Sequence, residues 1–362
     1  MLHWIARNQR IIQRILLLGG LVLLVILLFV LPSTVLQSSI RFSTPFLLGS
    51  LAALIASRAG VLNLAIEGKM LLGAFVGVSV LYQTGYDPLV GVLAATISGG
   101  FLGSLFALLY LKIRINLIIL ALALNLFVAN ATVFFMRVWF DSFGTLADPS
   151  IRGLPVIELP LIKDIPILGV LLSGYNLIVY VGWLMVLLIW VMLFRTQFGR
   201  HIRAVGENKD AAETAGINVT RVQVFALTLS GMLAGMAGSF LSLGVLSQFL
   251  ENMTAGRGWI AITVAIFAMN RPLPAFFTSL FFGFSEALSL YLVSRPDISL
   301  PPDWILMFPQ VATLSALVLV ALRLRSSDLL KRREFVQQFS QELQGLKKIV
   351  VGDSQPNTQE QQ

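Results

Sequence analysis

Polar and apolar positions alternate along this chain on a long scale. Apolar runs occupy residues 15–31, 43–57, 61–83, 89–111, 115–137, 174–194, 222–247, 258–270, 273–293 and 304–322. A membrane-crossing helix needs roughly 20 such residues. The pattern therefore predicts an all-α fold, a polytopic transmembrane bundle of about ten spans, some short or broken. Residues 258–270 would cover only about 20 Å at the helical rise, less than the hydrocarbon thickness of roughly 30 Å. The 43–57 run has the same shortfall unless it extends back toward Val35. Short spans are tolerated where protein, not lipid, surrounds them, and in transporters they often mark a solute path. A full helix with a polar end, or a re-entrant loop, fits the same pattern.

Within the spans, Gly231, Gly235 and Ser239 recur four apart, as do Gly99, Gly103 and Ala107. Small faces of this kind let helix backbones approach closely, so these positions read as packing surfaces. Two polar connections stand out, 138–173 and 195–221. Residues 1–325 read as one transmembrane domain and 326–362 as a polar tail. In the tail Val336, Phe339, Leu343 and Leu346 recur at helical spacing beside basic residues, which suits a helix on the membrane surface or on a partner subunit. The Gln-rich end reads as disordered.

Composition agrees with the pattern. Hydrophobic residues make up 57% of the chain and charged residues 12%, against about 25% charged in soluble domains. The net charge of +8 does not point to nucleic acid, because the charges fall at the ends of apolar runs. With the N-terminus in the cytoplasm and the 15–31 run an uncleaved first span, Lys and Arg gather on the inner side. Both termini and 195–221 are then cytoplasmic and 138–173 is outside. The chain has no cysteine and only two histidines, His3 and His201, which leaves no thiolate or histidine metal site. It has no phosphate-cradling G-x-x-x-x-G-K-[ST] loop and no hydrolase or zinc-protease signature, so no catalytic residue and no cofactor is expected in it. Two acids, Glu67 and Glu286, lie within spans. An intramembrane pair of this kind suits a proton-coupled secondary transporter.

The most informative connection reads FGRHIRAVGENKDAAETAGINVTRVQVFALTLSGMLAGMAG, residues 198–238. A short helix is expected from about Lys209, with Gly216 at its C-cap, followed by a helix that starts near Asn218 and enters the membrane. Such a unit makes a rigid knob, far longer than a plain connection requires.

Asp210-Ala-Ala-Glu-Thr-Ala-Gly216 resembles the E-A-A-x-x-x-G signature of permease subunits of bacterial ABC importers, with Asp in place of the first Glu. The I-x-L-P element of the maltose-type importers is absent, since Ala226-Leu-Thr-Leu229 stands there. The resemblance runs from about residue 42 to 322, to the branch serving branched-chain amino acids, simple sugars and nucleosides. Within it, Gly60-Val-Leu-Asn-Leu-Ala-Ile-Glu-Gly68 is similar to the G-V-x-N-x-G-x-E-G of nucleoside-type permeases, which work with lipoproteins of the basic membrane protein kind. It departs at Ala65, and Lys69 replaces a commonly apolar residue. Gly256-Arg-Gly-Trp-Ile-Ala261 and Arg200-His-Ile-Arg-Ala-Val-Gly206 match the same group.

The resemblance implies a multi-pass permease of the bacterial inner membrane, importing nucleosides or, alternatively, simple sugars by alternating access. It implies a separate ABC ATPase subunit that uses ATP and Mg, a second and different permease subunit, and an extracytoplasmic solute-binding lipoprotein. Asp210, Ala211, Ala212 and Gly216, with Arg200 and Arg203, would couple to the ATPase. Ala211 and Ala212 would let the short helix lie in its groove.

Asn63, Glu67, Asn125 and Asn130 are the candidate solute-path residues. Asn63 and Glu67 are four apart and would share a helix face, with Ala59 and Ala74 on the same stripe. They either line the path or tie a broken helix to its neighbours. Asn125 either bonds across helices or touches solute. Lys69 is expected on another side, snorkelling to the inner surface.

Overall fold

The computed structural model describes residues 32–85, 87–149, 151–160, 165 and 168–295, with seven further positions between 301 and 314. The chain divides into two compact units, Met1–Gln310 and Val311–Gln362, and the elements below belong to the first. The predicted first span 15–31 and the tail 326–362 lie outside the described residues, as does most of 304–322.

The elements run in chain order as α1 (Ser33–Arg58), α2 (Ile66–Thr84), α3 (Pro88–Leu111), α4 (Leu117–Phe140), β1 (Thr145–Leu146), β2 (Val156–Ile157), α5 (Leu168–Leu172), β3 (Tyr175–Asn176), α6 (Leu177–Arg195), α7 (Gln197–Glu207), α8 (Lys209–Thr214), α9 (Val219–Ser239), β4 (Phe249–Leu250), α10 (Arg257–Phe267) and α11 (Pro272–Val293). A π-helical segment, Phe240–Leu246, continues α9. The fold is helical and polytopic. Among the described residues six helices are long and apolar enough to cross a membrane: α1, α3, α4, α6, α9 with its π continuation, and α11. The expectation of about ten spans, some short or broken, is not confirmed by these six, and two of the predicted runs, 15–31 and most of 304–322, lie outside the described residues. The 258–270 run is an eleven-residue helix, α10, and the 61–83 run is not one helix, because residues 61–65 are non-helical and α2 begins at Ile66.

Local chemistry sets many of the starts. Asn116, Asn176, Asn208 and Asn218 each accept hydrogen bonds from first-turn backbone N–H groups of α4, α6, α8 and α9. Asp87 does so for α3, with Pro88 at the first helical position, and Thr196 does so for α7. Short polar side chains satisfy donors that a helix start leaves orphaned.

α1 reaches 26 residues because its polar beginning is self-satisfied. The Ser39 hydroxyl donates to the Val35 carbonyl at 2.7 Å, and Ser43 and Thr44 donate to Ile40 at 2.8 and 3.0 Å. The 43–57 run is thus the inner part of a full-length helix, and its shortfall disappears.

The core is held by close backbone contact. α9 lies between α2 and α3. A Cβ at Gly231 would stand 2.2 Å from the Gly99 carbonyl oxygen, one at Gly235 2.3 Å from Ala95, and one at Gly238 1.8 Å from Met70. The glycine spacing is therefore a packing device, since small residues are what let helices approach in lipid.

The helix directions collect residues 58–60, 195–219 and 268–271 at one end of the bundle. There Arg58 donates to the Asn270 carbonyl at 2.8 Å and the Asn270 amide donates to Ser57. The other end carries the 141–176 connection. β1 pairs with β4, β2 pairs with β3, and the Leu154 N–H donates to the Leu243 carbonyl. Tyr175 is fully buried there and donates to the Val170 carbonyl at 2.6 Å, and burial pushes its phenol above the usual range.

Candidate functional site

After α1 ends, the chain turns at Gly60, whose φ of +75° is a left-handed conformation that costs glycine little. It then runs without helix to Ala65. Buried backbone of this kind must find partners, and here side chains from distant elements supply them. The Gln223 amide of α9 donates to the Ala59 carbonyl at 3.0 Å. Asn125 of α4 uses both ends of its amide, donating to the Leu64 carbonyl at 3.0 Å and accepting from the Gly68 N–H at 2.9 Å. Asn63 donates to Ser230 of α9 at 2.9 Å and accepts from the Ala65 N–H and from the Lys69 ammonium, the latter at 3.0 Å. Asn125 is eight residues into α4 and Ser230 eleven into α9. The stapled stretch therefore lies about 12 to 17 Å inside the bundle from that end.

Two expectations are corrected here. Asn63 precedes α2 and does not share a helix face with Glu67, and Ala59 likewise lies before it. Asn63 itself is 1% exposed. Lys69 does not snorkel. It is fully buried, bonded to Asn63, with its ammonium 4.5 Å from the centre of the Phe106 ring. Phe106 and Asn63 give the cation an aromatic face and an amide oxygen in place of water.

Glu67 meets the second broken segment. Its carboxylate accepts from the Gly256 N–H at 2.8 Å and the Gly258 N–H at 2.6 Å, capping the N-terminus of α10. A negative charge is favourable at that end of a helix, and Gly256, at φ +83°, sets the turn. A Cβ at Gly258 would stand 2.6 Å from the Glu67 Cα, so only glycine fits the seat. α10 runs from this point toward Asn270. Its start therefore lies about 20 Å in from the Arg58 end at 1.5 Å per residue.

Arg257, the first residue of α10, pairs with Glu286 of α11 and also donates to the Met253 and Thr254 carbonyls. Arg257 is thus held by two helices' worth of partners, α11 through Glu286 and its own approach to α10 through Met253 and Thr254. Neither intramembrane acid is a free proton carrier: Glu67 holds two backbone donors and Glu286 an arginine. That weighs against the proton-coupled reading.

The Arg257–Glu286 pair is the part of this cluster that sequence reasoning missed. Its signal was available: an arginine at the edge of one apolar run and a carboxylate inside another, each costly in lipid unless paired. Asn130, grouped with Asn63 as a path residue, is exposed, and its amide donates to the Leu126 carbonyl of its own helix. It is not part of the Asn63–Glu67 cluster. Among the described residues no group of three or more His, Asp or Glu could hold a metal ion.

The knob at the Arg58 end has the expected form. α8 is six residues long, capped by Asn208, and Gly216 follows it at φ +81°, a left-handed turn that glycine allows. Asp210 and Ala211 are exposed, but Ala212 is 4% exposed and packs into its own chain. The expected role of Ala212 against a partner's groove is therefore corrected. Arg200 is exposed, while Arg203 lies over the Phe194 ring at 5.2 Å.

Comparison with known proteins gives the family. Residues 35–321 match the family described as "Branched-chain amino acid transport system / permease component". The guanosine ABC transporter permease protein NupQ of Bacillus subtilis is 28% identical, covering 79% of this chain and 91% of its own length. The nucleoside ABC transporter permease protein NupC of Lactococcus lactis is 30% identical over 77% of this chain and 89% of its own. The putative glucose ABC transporter permease protein TsgC13 of Haloferax volcanii is 30% identical over 85% of this chain and 98% of its own. The chain belongs to the branched-chain amino acid transport system permease family, the ABC permeases whose relatives here are named for nucleosides and glucose.

Proposed function

We propose that this permease moves nucleosides inward through the bacterial cytoplasmic membrane, driven by a separate ATPase subunit. What supports the solute class is that Gly60–Gly68 is similar to the motif of nucleoside-type permeases, and that NupQ and NupC, named for guanosine and nucleosides, match over nine-tenths of their length or close to it. The geometry supports a path. The non-helical stretches 59–65 and 251–256 meet at Glu67, deep in the bundle. Irregular backbone at that depth occurs where protein or water, not lipid, lies against it. Leu62 in the first stretch and Trp259 just past the second are 46% and 40% exposed, and on this reading they face the path. Indole is a surface on which a nucleobase stacks.

The expected partners are an ABC ATPase docked on α8 through Asp210 and Ala211 with Arg200 and Arg203 beside them, a second and different permease, and an extracytoplasmic solute-binding lipoprotein. On this reading both termini and residues 195–221 lie in the cytoplasm, and 138–173 outside. The second reading is a sugar permease, favoured by the TsgC13 match, which spans as much of both chains as the nucleoside matches do. Uptake of radiolabelled guanosine by cells expressing the complete system, challenged with excess unlabelled adenosine, uridine or glucose, separates the two. Competition by nucleosides and none by glucose is expected. Glucose competing as well as guanosine would sink the nucleoside assignment.

A further inference from the structure

A cleft of about 440 Å³ opens at the base of the knob, between α7, the Gly216 turn and the first turns of α9. Its walls carry two kinds of side chain. Arg221 and His201 stand on the polar side, and Phe198 and Phe225 on the apolar side. No carboxylate lines it. Among the described residues no ion pair involves the Arg221 guanidinium.

The order of these groups along the helix matters. Phe225 is four residues past Arg221, one turn further along the same face of α9 toward the bundle interior. It is 47% exposed and touches Phe198 edge-on at 4.6 Å between ring centres. α9 enters its apolar length at this turn, and α6 ends three residues before Phe198 at Arg195, whose guanidinium lies over the Trp190 ring. Tryptophan and arginine at a span end mark the membrane–water boundary. The cleft therefore presents a cation at the boundary and an aromatic wall one turn deeper, within reach of acyl chains.

We propose that this cleft is a binding site for an anionic phospholipid of the adjoining leaflet. Its phosphate diester would sit on Arg221 and His201 and the start of an acyl chain on Phe198 and Phe225. A guanidinium forks onto phosphate oxygens, and basic pockets at span ends recognise head groups through charge at the interface. A soluble phosphate would use only the cationic half and would leave the aromatic wall unexplained. Because the site sits under α8, its occupant would also brace the turn at Gly216.

Native mass spectrometry of the complete purified transporter complex, titrated with phosphatidylglycerol or phosphatidylcholine, tests this. Phosphatidylglycerol should stay bound where phosphatidylcholine is shed. Arg221→Gln should weaken its retention about fivefold, the effect of losing one interfacial cation. Arg114→Gln, an exposed arginine in the α3–α4 connection and outside the cleft, should change nothing. Phe225→Ala should weaken phosphatidylglycerol while leaving inorganic phosphate unaffected, which distinguishes a lipid from a free anion. Equal retention of both lipids, or no loss in Arg221→Gln, overturns the proposal. So does loss of stimulated ATP hydrolysis in Arg221→Gln to the same degree in lipid-free micelles as in phosphatidylglycerol vesicles, since the cleft would then be a contact for the ATPase subunit.

Discussion

Removing the Glu67 carboxylate should loosen α10 without unfolding the bundle. The carboxylate accepts from Gly256 and Gly258. Glu67→Ala leaves both N–H groups without a protein acceptor. Each such loss costs about 1–3 kcal/mol, and the lost charge at the helix N-terminus adds up to ~2 kcal/mol. Glu67 is only partly buried, so water recovers part of this, and a local cost of about 3 kcal/mol is the working figure. That corresponds to a rise of about two orders of magnitude in the population of the opened segment. Glu67→Gln keeps one acceptor but no charge and should cost about half as much, roughly a tenfold rise.

The chain has no cysteine, so a single reporter is clean. Ile262→Cys places a smaller side chain at a buried α10 position, and Leu102→Cys does the same on α3 as a global control. Thiol labelling rates at residue 262 should rise in the order wild type, Gln, Ala, while residue 102 stays protected. Rates at 262 within about threefold of wild type in both variants would refute the capping argument, because the two hydrogen bonds would then hold nothing. Equal acceleration at residue 102 would refute its local character.

Four further outcomes follow from the same contacts. Asn63→Leu leaves the buried Lys69 ammonium without its acceptor and should lower the thermal midpoint of the purified complex. Adding Lys69→Met should recover most of the loss, because replacing both partners removes the unpaired charge. Asn125→Leu frees the Leu64 carbonyl and the Gly68 N–H, about 2–4 kcal/mol, and should increase proteolysis between residues 59 and 65. Gly238→Leu forces a side chain into the Met70 backbone and should abolish monodisperse protein by size-exclusion chromatography. Ala211→Asp, on the exposed side of α8, should reduce stimulated ATP hydrolysis with the knob intact. Ala212→Asp should instead expose 208–217 to protease.

The runs 89–111, 115–137, 174–194 and 273–293 were legible within a few residues because nothing interrupts them and one face of each is left apolar and exposed. That Asn63 and Glu67 tie a broken helix to its neighbours was one of the two readings their sequence allowed, and their bonds bear it out, but the extent of the break, 59–65, was not legible. Gly60 is the local signal, but a single glycine costs a helix only about 1 kcal/mol. What holds the break open is Gln223, Ser230 and Asn125, between 61 and 167 residues away along the chain. No window of sequence contains that information. The same holds for Lys69, whose burial depends on Phe106 from α3. The pairing of Arg257 was not legible either, because its partner Glu286 lies 29 residues on.

The polar residues of this bundle thus divide by what they can still bind. Asn125 has committed both ends of its amide, Asn63 is sealed from solvent, and Glu286 is held by Arg257. A side chain whose hydrogen-bonding capacity is spent inside the protein contacts a solute only by breaking those bonds, at about 1–3 kcal/mol each. A permease that must release its cargo is better served by weak, reversible surfaces at the path and strong bonds behind it. Glu67 stands at that boundary: it fixes the start of α10, and Trp259, two residues past its first turn's arginine, is 40% exposed. Specificity on this reading comes from the shape and stacking surface that the staples hold in place. Trp259→Ala should therefore change which nucleosides compete for uptake while leaving the labelling of residue 262 as slow as in the wild type. A variant that loosened α10 and left selectivity unchanged would place Trp259 among the structural residues and move the solute's contacts elsewhere.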